Sequence, residues 1–240
     1  WLQIPVQTVK SAVSVGIACA MAGIISGVIM GSGLGYRISS ILTSVAGTSM
    51  LLLLVLTMVV SLIMGMGVPT TAAYLVLASL VAPTMIQLGI PPLAAHMFIF
   101  YFGVVAQITP PVCLASFTAA GIAGASAWKT GWKAFSFAIT AFIVPFAFVY
   151  RPAILLEGTV VEIVAAYFIV IAATYLLACG IAGYLFRPLK MWERIACYIV
   201  AFILILPSSM SDIIGIAGCV LIMAYCFMTG KKNVNKAQPA

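Results

Sequence analysis

The chain has 240 residues, 65% of them hydrophobic and 6% charged, with a mean hydropathy of +1.26. Soluble domains run at about 45–50% apolar and about 25% charged, so the composition excludes a water-soluble module and reads as an all-α polytopic membrane protein. Eleven Lys and Arg against four acids give a net charge of +7, and the basic residues lie mostly between apolar runs, where the positive-inside bias places them; membrane topology, not nucleic acid, accounts for the charge.

The chain opens Trp1-Leu2-Gln3-Ile4-Pro5, without methionine, basic leader or cleavage site, and is expected to be the later part of a longer polypeptide. Ser11 to Met30 is long enough to cross a core of about 30 Å. Lys10 places its start inside. Gly23, Gly27 and Gly31 form a small-residue ridge on which another helix could pack. The Gly31-Ser32-Gly33-Leu34-Gly35 cluster has neither the preceding strand nor the spacing of a nucleotide loop. From Arg37 to Gly47, apolar Ile38, Ile41, Leu42 and Val45 recur at three-four spacing and predict a short surface helix.

Ser49 to Met66 is apolar and ends at Gly65-Met66-Gly67-Val68-Pro69-Thr70-Thr71; the run resumes from Ala72 to Leu88, with Pro83 inside it. Leu93 to Ala125 is a second apolar run, interrupted at Ile108-Thr109-Pro110-Pro111. Lys129 and Lys133 predict a basic loop, Arg187, Lys190 and Arg194 another, and Lys231, Lys232 and Lys236 a basic tail. Glu157, Glu162 and Asp212 are expected in the loops between. With the basic groups inside, 134–150 runs outward, 160–185 inward, 195–206 outward and 213–228 inward. Working backward, both ends of the 49–88 segment lie outside, so it is predicted to be a re-entrant hairpin with its tip at Gly67 to Thr70. Arg37 and Arg151 fall on the outer side and fit this scheme badly.

The two interruptions carry the candidate chemistry. A helix broken within the membrane exposes carbonyls at the end of one half and amides at the start of the next. Carbonyls suit a cation such as Na⁺, amides an anionic group such as a carboxylate. Pro69, Pro110 and Pro111 remove amides and keep the breaks open. Gly65 and Gly67 permit unusual backbone angles. Thr70, Thr71, Thr109 and Gln107 add neutral oxygens, with Val68 and Ile108 contributing backbone and Ser116 standing just beyond. These oxygens suit a singly charged hard ion and make a poor nest for Zn²⁺ or Ca²⁺. Simple proline kinks are the plainer alternative. Cys19, Cys113, Cys179, Cys197, Cys219 and Cys226 lie in apolar runs without a C-x-x-C pair and read as packing residues. His96 is the single histidine. No G-x-x-x-x-G-K-[ST] motif occurs, which leaves an ion gradient as the energy source, worth about 2.3 kcal/mol per charge per 100 mV. No cofactor other than Na⁺ as coupling ion is expected. An intramembrane enzyme has no supporting motif.

Gly65-Met66-Gly67-Val68-Pro69-Thr70-Thr71-Ala72-Ala73-Tyr74, Pro91 to Val104 (PPLAAHMFIFYFGV), Ile108-Thr109-Pro110-Pro111-Val112 and Ala119 to Ala125 (AAGIAGA) together resemble the large membrane subunit of tripartite ATP-independent periplasmic (TRAP) transporters. The likeness is closest to fused permeases that work with TAXI-type binding proteins, and covers residues 10 to 155. It implies an elevator-type transporter half, with residues 1–155 as the second inverted repeat and 156–240 as three additional C-terminal helices with the tail. The hairpin tip (Gly65, Gly67, Val68, Pro69, Thr70, Thr71) and the broken helix (Gln107, Ile108, Thr109, Pro110, Pro111, with Ser116) would form a sodium site near Gly67, Thr70 and Thr109 and half of a substrate cradle. The resemblance also implies Na⁺-driven uptake of a small organic acid in a bacterial or archaeal inner membrane. A periplasmic solute-binding protein, a small membrane subunit or fused N-terminal region, and membrane lipids are the implied partners. A proton-coupled or facilitative carrier and a non-transporting scaffold stand as alternatives.

Overall fold

The computed structural model describes residues 31–47, 49–66 and 68–236, with isolated helical positions between 4 and 28. Lys10, Cys19, most of the predicted 11–30 helix and the tip residue Gly67 lie outside the described residues. The chain forms an all-α membrane protein. Among the described residues, three apolar helical stretches, Ala127–Tyr150, Val160–Ala182 and Met210–Thr229, are long enough to cross a bilayer. Two compact units divide the chain, Trp1–Ala138 and Ile139–Ala240, so the division falls within the predicted 134–150 segment.

The N-terminal unit contains α1 (Leu34–Ala46), α2 (Met50–Gly65), α3 (Thr70–Leu80), α4 (Ala82–Gln87), α5 (Pro92–Val105), a 3₁₀ turn (Ala106–Ile108), α6 (Leu114–Ala123) and α7 (Ala127–Ala138). Helix α1 begins after Gly33, whose φ of 70° suits glycine. Its buried Leu42 and Ala46 lie one turn apart, whereas Ile41 and Val45 of the expected apolar face are exposed. Ser49 caps α2, its side chain accepting from Leu52 N at 3.3 Å. Helices α2 and α3 both pack along α5. Leu53, Leu54, Leu77, Phe98 and Phe102 are buried there, the two phenyl rings meeting edge to face at 4.9 Å.

A Cβ at Gly23, Gly27 or Gly31 would meet open space, so among the described residues no helix packs on this ridge. The close approach lies elsewhere. A Cβ at Gly65 would stand 2.8 Å from Ala106 Cβ and 3.3 Å from Gly103 Cα, so α2 meets α5 and the following turn across residues with little or no side chain.

Lys129 and Lys133 do not lie in a loop. They are on α7, where lysine's long apolar stem lets the charge reach water from a helix. The 134–150 segment is also not one uniform helix. A 3₁₀ turn at Ile139–Ile143 precedes α8 (Val144–Tyr150), because Pro145 lacks an amide and crowds the preceding turn.

The C-terminal unit continues with a 3₁₀ turn (Pro152–Leu155), α9 (Val160–Ala182), a two-residue antiparallel pair β1 (Tyr184–Leu185) and β2 (Arg187–Pro188), α10 (Met191–Ile205) and α11 (Ser209–Lys236). Helices α9, α10 and α11 pack around Ala173, Leu176, Cys197, Ala201 and Leu204, each 0% exposed. Among the described residues, Cys113, Cys179, Cys197, Cys219 and Cys226 are buried and unpaired. Glu162 and Asp212 are not loop residues but occupy first helical turns, where the positive end of the helix favours an acid. Thr159 and Glu162 complete a reciprocal capping box. The basic tail continues α11 to Lys236 instead of leaving the helix after Met228.

Arg151, which fitted the charge alternation badly, is paired with Asp212 and donates to Leu206 O at 2.7 Å and Leu204 O at 3.1 Å, closing the end of α10. Arg187 meets Glu193 at 2.6 Å, and Glu193 also accepts from Lys190 N at 2.7 Å. Neutralised by the neighbouring guanidinium, the Glu193 carboxyl is held below the usual carboxylate range.

Candidate functional site

Both predicted interruptions are present. Helix α2 closes with a tight turn in which Met66 N donates to Ile63 O at 3.3 Å. Met66 and Pro69 are extended, with ψ of 124° and 141°, and α3 starts at Thr70 with no side chain capping it. Proline at 69 has no amide and cannot continue the α2 ladder. Sixteen residues of α2 and eleven of α3 correspond to about 24 Å and about 16 Å at 1.5 Å per residue, so both stop short of a core of about 30 Å.

The second interruption follows α5. After the 3₁₀ turn Ala106–Ile108, Thr109 is extended, the Pro110-Pro111 peptide is cis, and Cys113 sits at φ 23° before α6 begins without a side-chain cap. Two consecutive prolines supply no amide, and the first-turn amides of α6 point away from their own helix. The ten residues of α6 reach about 15 Å, again too little to cross alone.

One side chain joins the two breaks. Gln107 Nε2 donates to Val68 O at 2.6 Å and to Gly65 O at 3.2 Å. Each carbonyl keeps a second lone pair, so the bridge positions these oxygens while leaving them able to take a cation. Thr109 is buried and its hydroxyl donates to Val105 O at 2.8 Å, turning its oxygen lone pairs away from its own helix. Ser116, 4% exposed, has a buried Oγ with no hydrogen-bond partner. It stands in the first turn of α6, beside unsatisfied amides.

The predicted residues are therefore not equivalent. Gly65, Val68 and Gln107 are directly linked, Ile108 forms the end of the 3₁₀ turn, and Pro110 and Pro111 hold the second break open. Thr70 is half-buried at the start of α3, whereas Thr71, Pro69 and Pro111 are exposed. Val68 and Pro69 also border an apolar cavity of about 200 Å³, with Met21, Ile25, Met64 and Val76.

Three features were not anticipated. Gly103 and Ala106 receive Gly65, and their three-residue spacing beside the break was a visible signal for this contact. Tyr74 Oη and His96 Nδ1 lie 3.1 Å apart, connecting α3 to α5. Gly131 packs on the second break, because a Cβ there would lie 2.7 Å from Cys113 Sγ. Among the described residues, no group of three or more His, Cys, Asp or Glu is placed to hold a metal.

Comparisons with curated proteins and with solved structures gave no match. The family model described as "Tripartite ATP-independent periplasmic transporter, DctM component" matches residues 2–163, a span that includes both breaks, the Gln107 bridge and every candidate site residue. An all-α membrane chain with this match over most of its length belongs to the DctM component family, the large permease subunit of TRAP transporters.

Proposed function

We propose that this chain takes part in Na⁺-driven uptake of a small organic acid, as the permease component of a transporter fed by a periplasmic solute-binding protein. The observation that carries the reading is the Gln107 bridge, which gathers the Gly65 and Val68 carbonyls beside a second broken helix. In this reading Na⁺ is held by main-chain oxygens at Gly65 to Val68 with the hydroxyls of Thr70 and Thr109. The carboxylate is met by the first-turn amides of α6 and the Ser116 hydroxyl, an arrangement in which the positive helix end balances the anion. Gly67, Thr71, Ile108, Pro69, Pro110 and Pro111 shape the two breaks.

Protons are the weaker coupling ion. No Asp or Glu occurs before Glu157, so neither break contains a carboxylate to carry one. The TAXI-type assignment, an elevator movement, location in an inner membrane and partnership with a small subunit or fused N-terminal region belong to the same proposal. Membrane lipids surround the chain as solvent, and no nucleic-acid partner is invoked.

The test is radiolabelled organic-acid uptake into liposomes by the full-length transporter with its binding protein. Accumulation is expected to require an inward Na⁺ gradient and to fall when Thr70 and Thr109 are replaced by Ala. Full accumulation with K⁺ in place of Na⁺, or accumulation driven by a pH jump alone, overturns the sodium reading. Unchanged folding and Na⁺ affinity in both threonine variants would favour a scaffold role for the breaks.

A further inference from the structure

Helix α7 carries two parallel ladders. Trp128 and Trp132 are four residues apart, 54% and 49% exposed, with ring centroids 5.9 Å apart and Trp132 continuing to Phe135 at the same separation. Lys129 and Lys133 are likewise four apart and exposed. At about 100° per residue, the lysines lie on the side opposite Gly131, the residue by which α7 packs on Cys113. The tryptophans stand between the packed side and the lysines. Lys133 Nζ rests 5.2 Å from the Phe137 ring centroid.

A pair of like charges four residues apart on a helix repels and calls for an anion between them. This unit has none to give, because the chain contains no Asp or Glu before Glu157. An anion between them comes from outside this unit. All four residues fall within the first seven of the apolar stretch Ala127–Tyr150, which has no other charge before Arg151. The end of a spanning stretch is the depth at which tryptophan rings and headgroups meet. A phosphate group at that depth is met by two ammonium groups, while the indoles face the upper acyl chains.

We propose that α7 is a binding site for an anionic phospholipid, with Lys129 and Lys133 holding the headgroup phosphate and Trp128 and Trp132 flanking the glycerol and acyl region. Because Gly131 seats the same helix on Cys113, a lipid held on the outer side of α7 also braces the chain beside Pro110-Pro111. The site is separate from the residues assigned to Na⁺ and carboxylate and does not depend on that assignment.

The test uses the full-length protein in phosphatidylcholine nanodiscs with every tryptophan other than Trp128 and Trp132 replaced by Phe, Trp1 and Trp192 among them, so that Trp128 and Trp132 report. Brominated phosphatidylglycerol is expected to quench their fluorescence at mole fractions about thirtyfold lower than brominated phosphatidylcholine, the scale that two surface lysines supply. Lys129→Gln with Lys133→Gln is expected to remove that preference. Circular dichroism of the double variant, expected to match the parent because both lysines are exposed, separates lost binding from lost folding. Equal quenching by the two lipids overturns the proposal, as does a preference that survives the double substitution. Displacement of the brominated lipid by millimolar inorganic phosphate would also overturn it by assigning the lysines to a free anion.

Discussion

The two units treat the ends of their helices in opposite ways. In the C-terminal unit both ends of α9 and the end of α10 are closed by side chains from the same unit. Thr159 and Glu162 cap the start of α9. Arg194 donates to Gly180 O at 2.7 Å and Ile181 O at 3.1 Å near its end. Arg151, braced by Asp212, covers the end of α10. In the N-terminal unit α2 is capped at its start by Ser49, but its end, the start of α3 and the start of α6 have no side-chain cap. The starts of α1, α4 and α5 are uncapped as well, so what distinguishes the two breaks is the Gln107 side chain that ties them together.

Among the described residues, the buried polar side-chain atoms without a partner lie in the N-terminal unit apart from Arg151 Nε. Glu193, 2% exposed, is satisfied by Arg187 and by Lys190 N. Thr57, Ser61, Thr84 and Ser116 of the N-terminal unit have buried hydroxyls without partners. A satisfied ionic cluster fixes one geometry, whereas an unsatisfied hydroxyl is a cost that a ligand or water can relieve.

The sharpest way to break this contrast is to remove one half of the buried ion pair. Arg187→Ala leaves Glu193 buried and unpaired, and is expected to destabilise the C-terminal unit by about 3–5 kcal/mol. Thermal unfolding in nanodiscs checks this, with the N-terminal unit's Cys113 probed separately by thiol labelling. Acid acts on the same pair. The folded-state pKa of Glu193 is depressed by Arg187, so its contribution is present above the ordinary carboxylate value and is lost as pH falls through the lowered one. Residues 1–138 contain no Asp or Glu; carboxylate protonation is therefore expected to loosen the C-terminal unit and spare the N-terminal one. Labelling of Cys197 against Cys113 across an acid titration reads the difference.

Gly65→Ala comes next. The added methyl would press on Ala106 Cβ and on the Gly103 backbone, and such overpacking costs about 1–3 kcal/mol. Uptake is expected to fall further than stability, because the substitution displaces the carbonyl held by Gln107. Gln107→Ala removes two hydrogen bonds, each worth about 0.5–1.5 kcal/mol net. Its main expected consequence is a raised Na⁺ requirement for uptake, measured as the half-saturating Na⁺ concentration. The smallest stability changes are expected for Ser61→Ala and Ser116→Ala, since each deletes a hydroxyl that has no partner. Both should leave the melting temperature unchanged or slightly raised, but only Ser116→Ala should raise the KM for the acid.

Much of the site was legible because it is made of local backbone chemistry. Pro69 and the Pro110-Pro111 pair interrupt a helix wherever they fall, and Gly65 and the adjoining residues mark the first break without reference to the rest of the chain. The hydroxyl count around the breaks was legible for the same reason, but the orientation of each hydroxyl was not. Thr109 turns back on Val105 O, and Thr71 is exposed, because those directions follow from helix phase and neighbouring elements. The charges misled where they were read as loop markers. Lys129 and Lys133 belong to α7, and Glu162 and Asp212 to first helical turns, because long stems and helix dipoles make such positions favourable.

The sequence by itself determined the membrane class, through an apolar content that no soluble core requires, and the places where the helices break, through residues that lack an amide or a side chain. Tertiary structure alone decided that Gln107 reaches carbonyls 39 and 42 positions earlier, and that Arg151 finds Asp212 61 positions later. The reason is one of range. A break is enforced within a few bonds of the residue that causes it, whereas a partner for an open carbonyl or a buried guanidinium is chosen only when packed helices bring distant parts of the chain within about 3 Å.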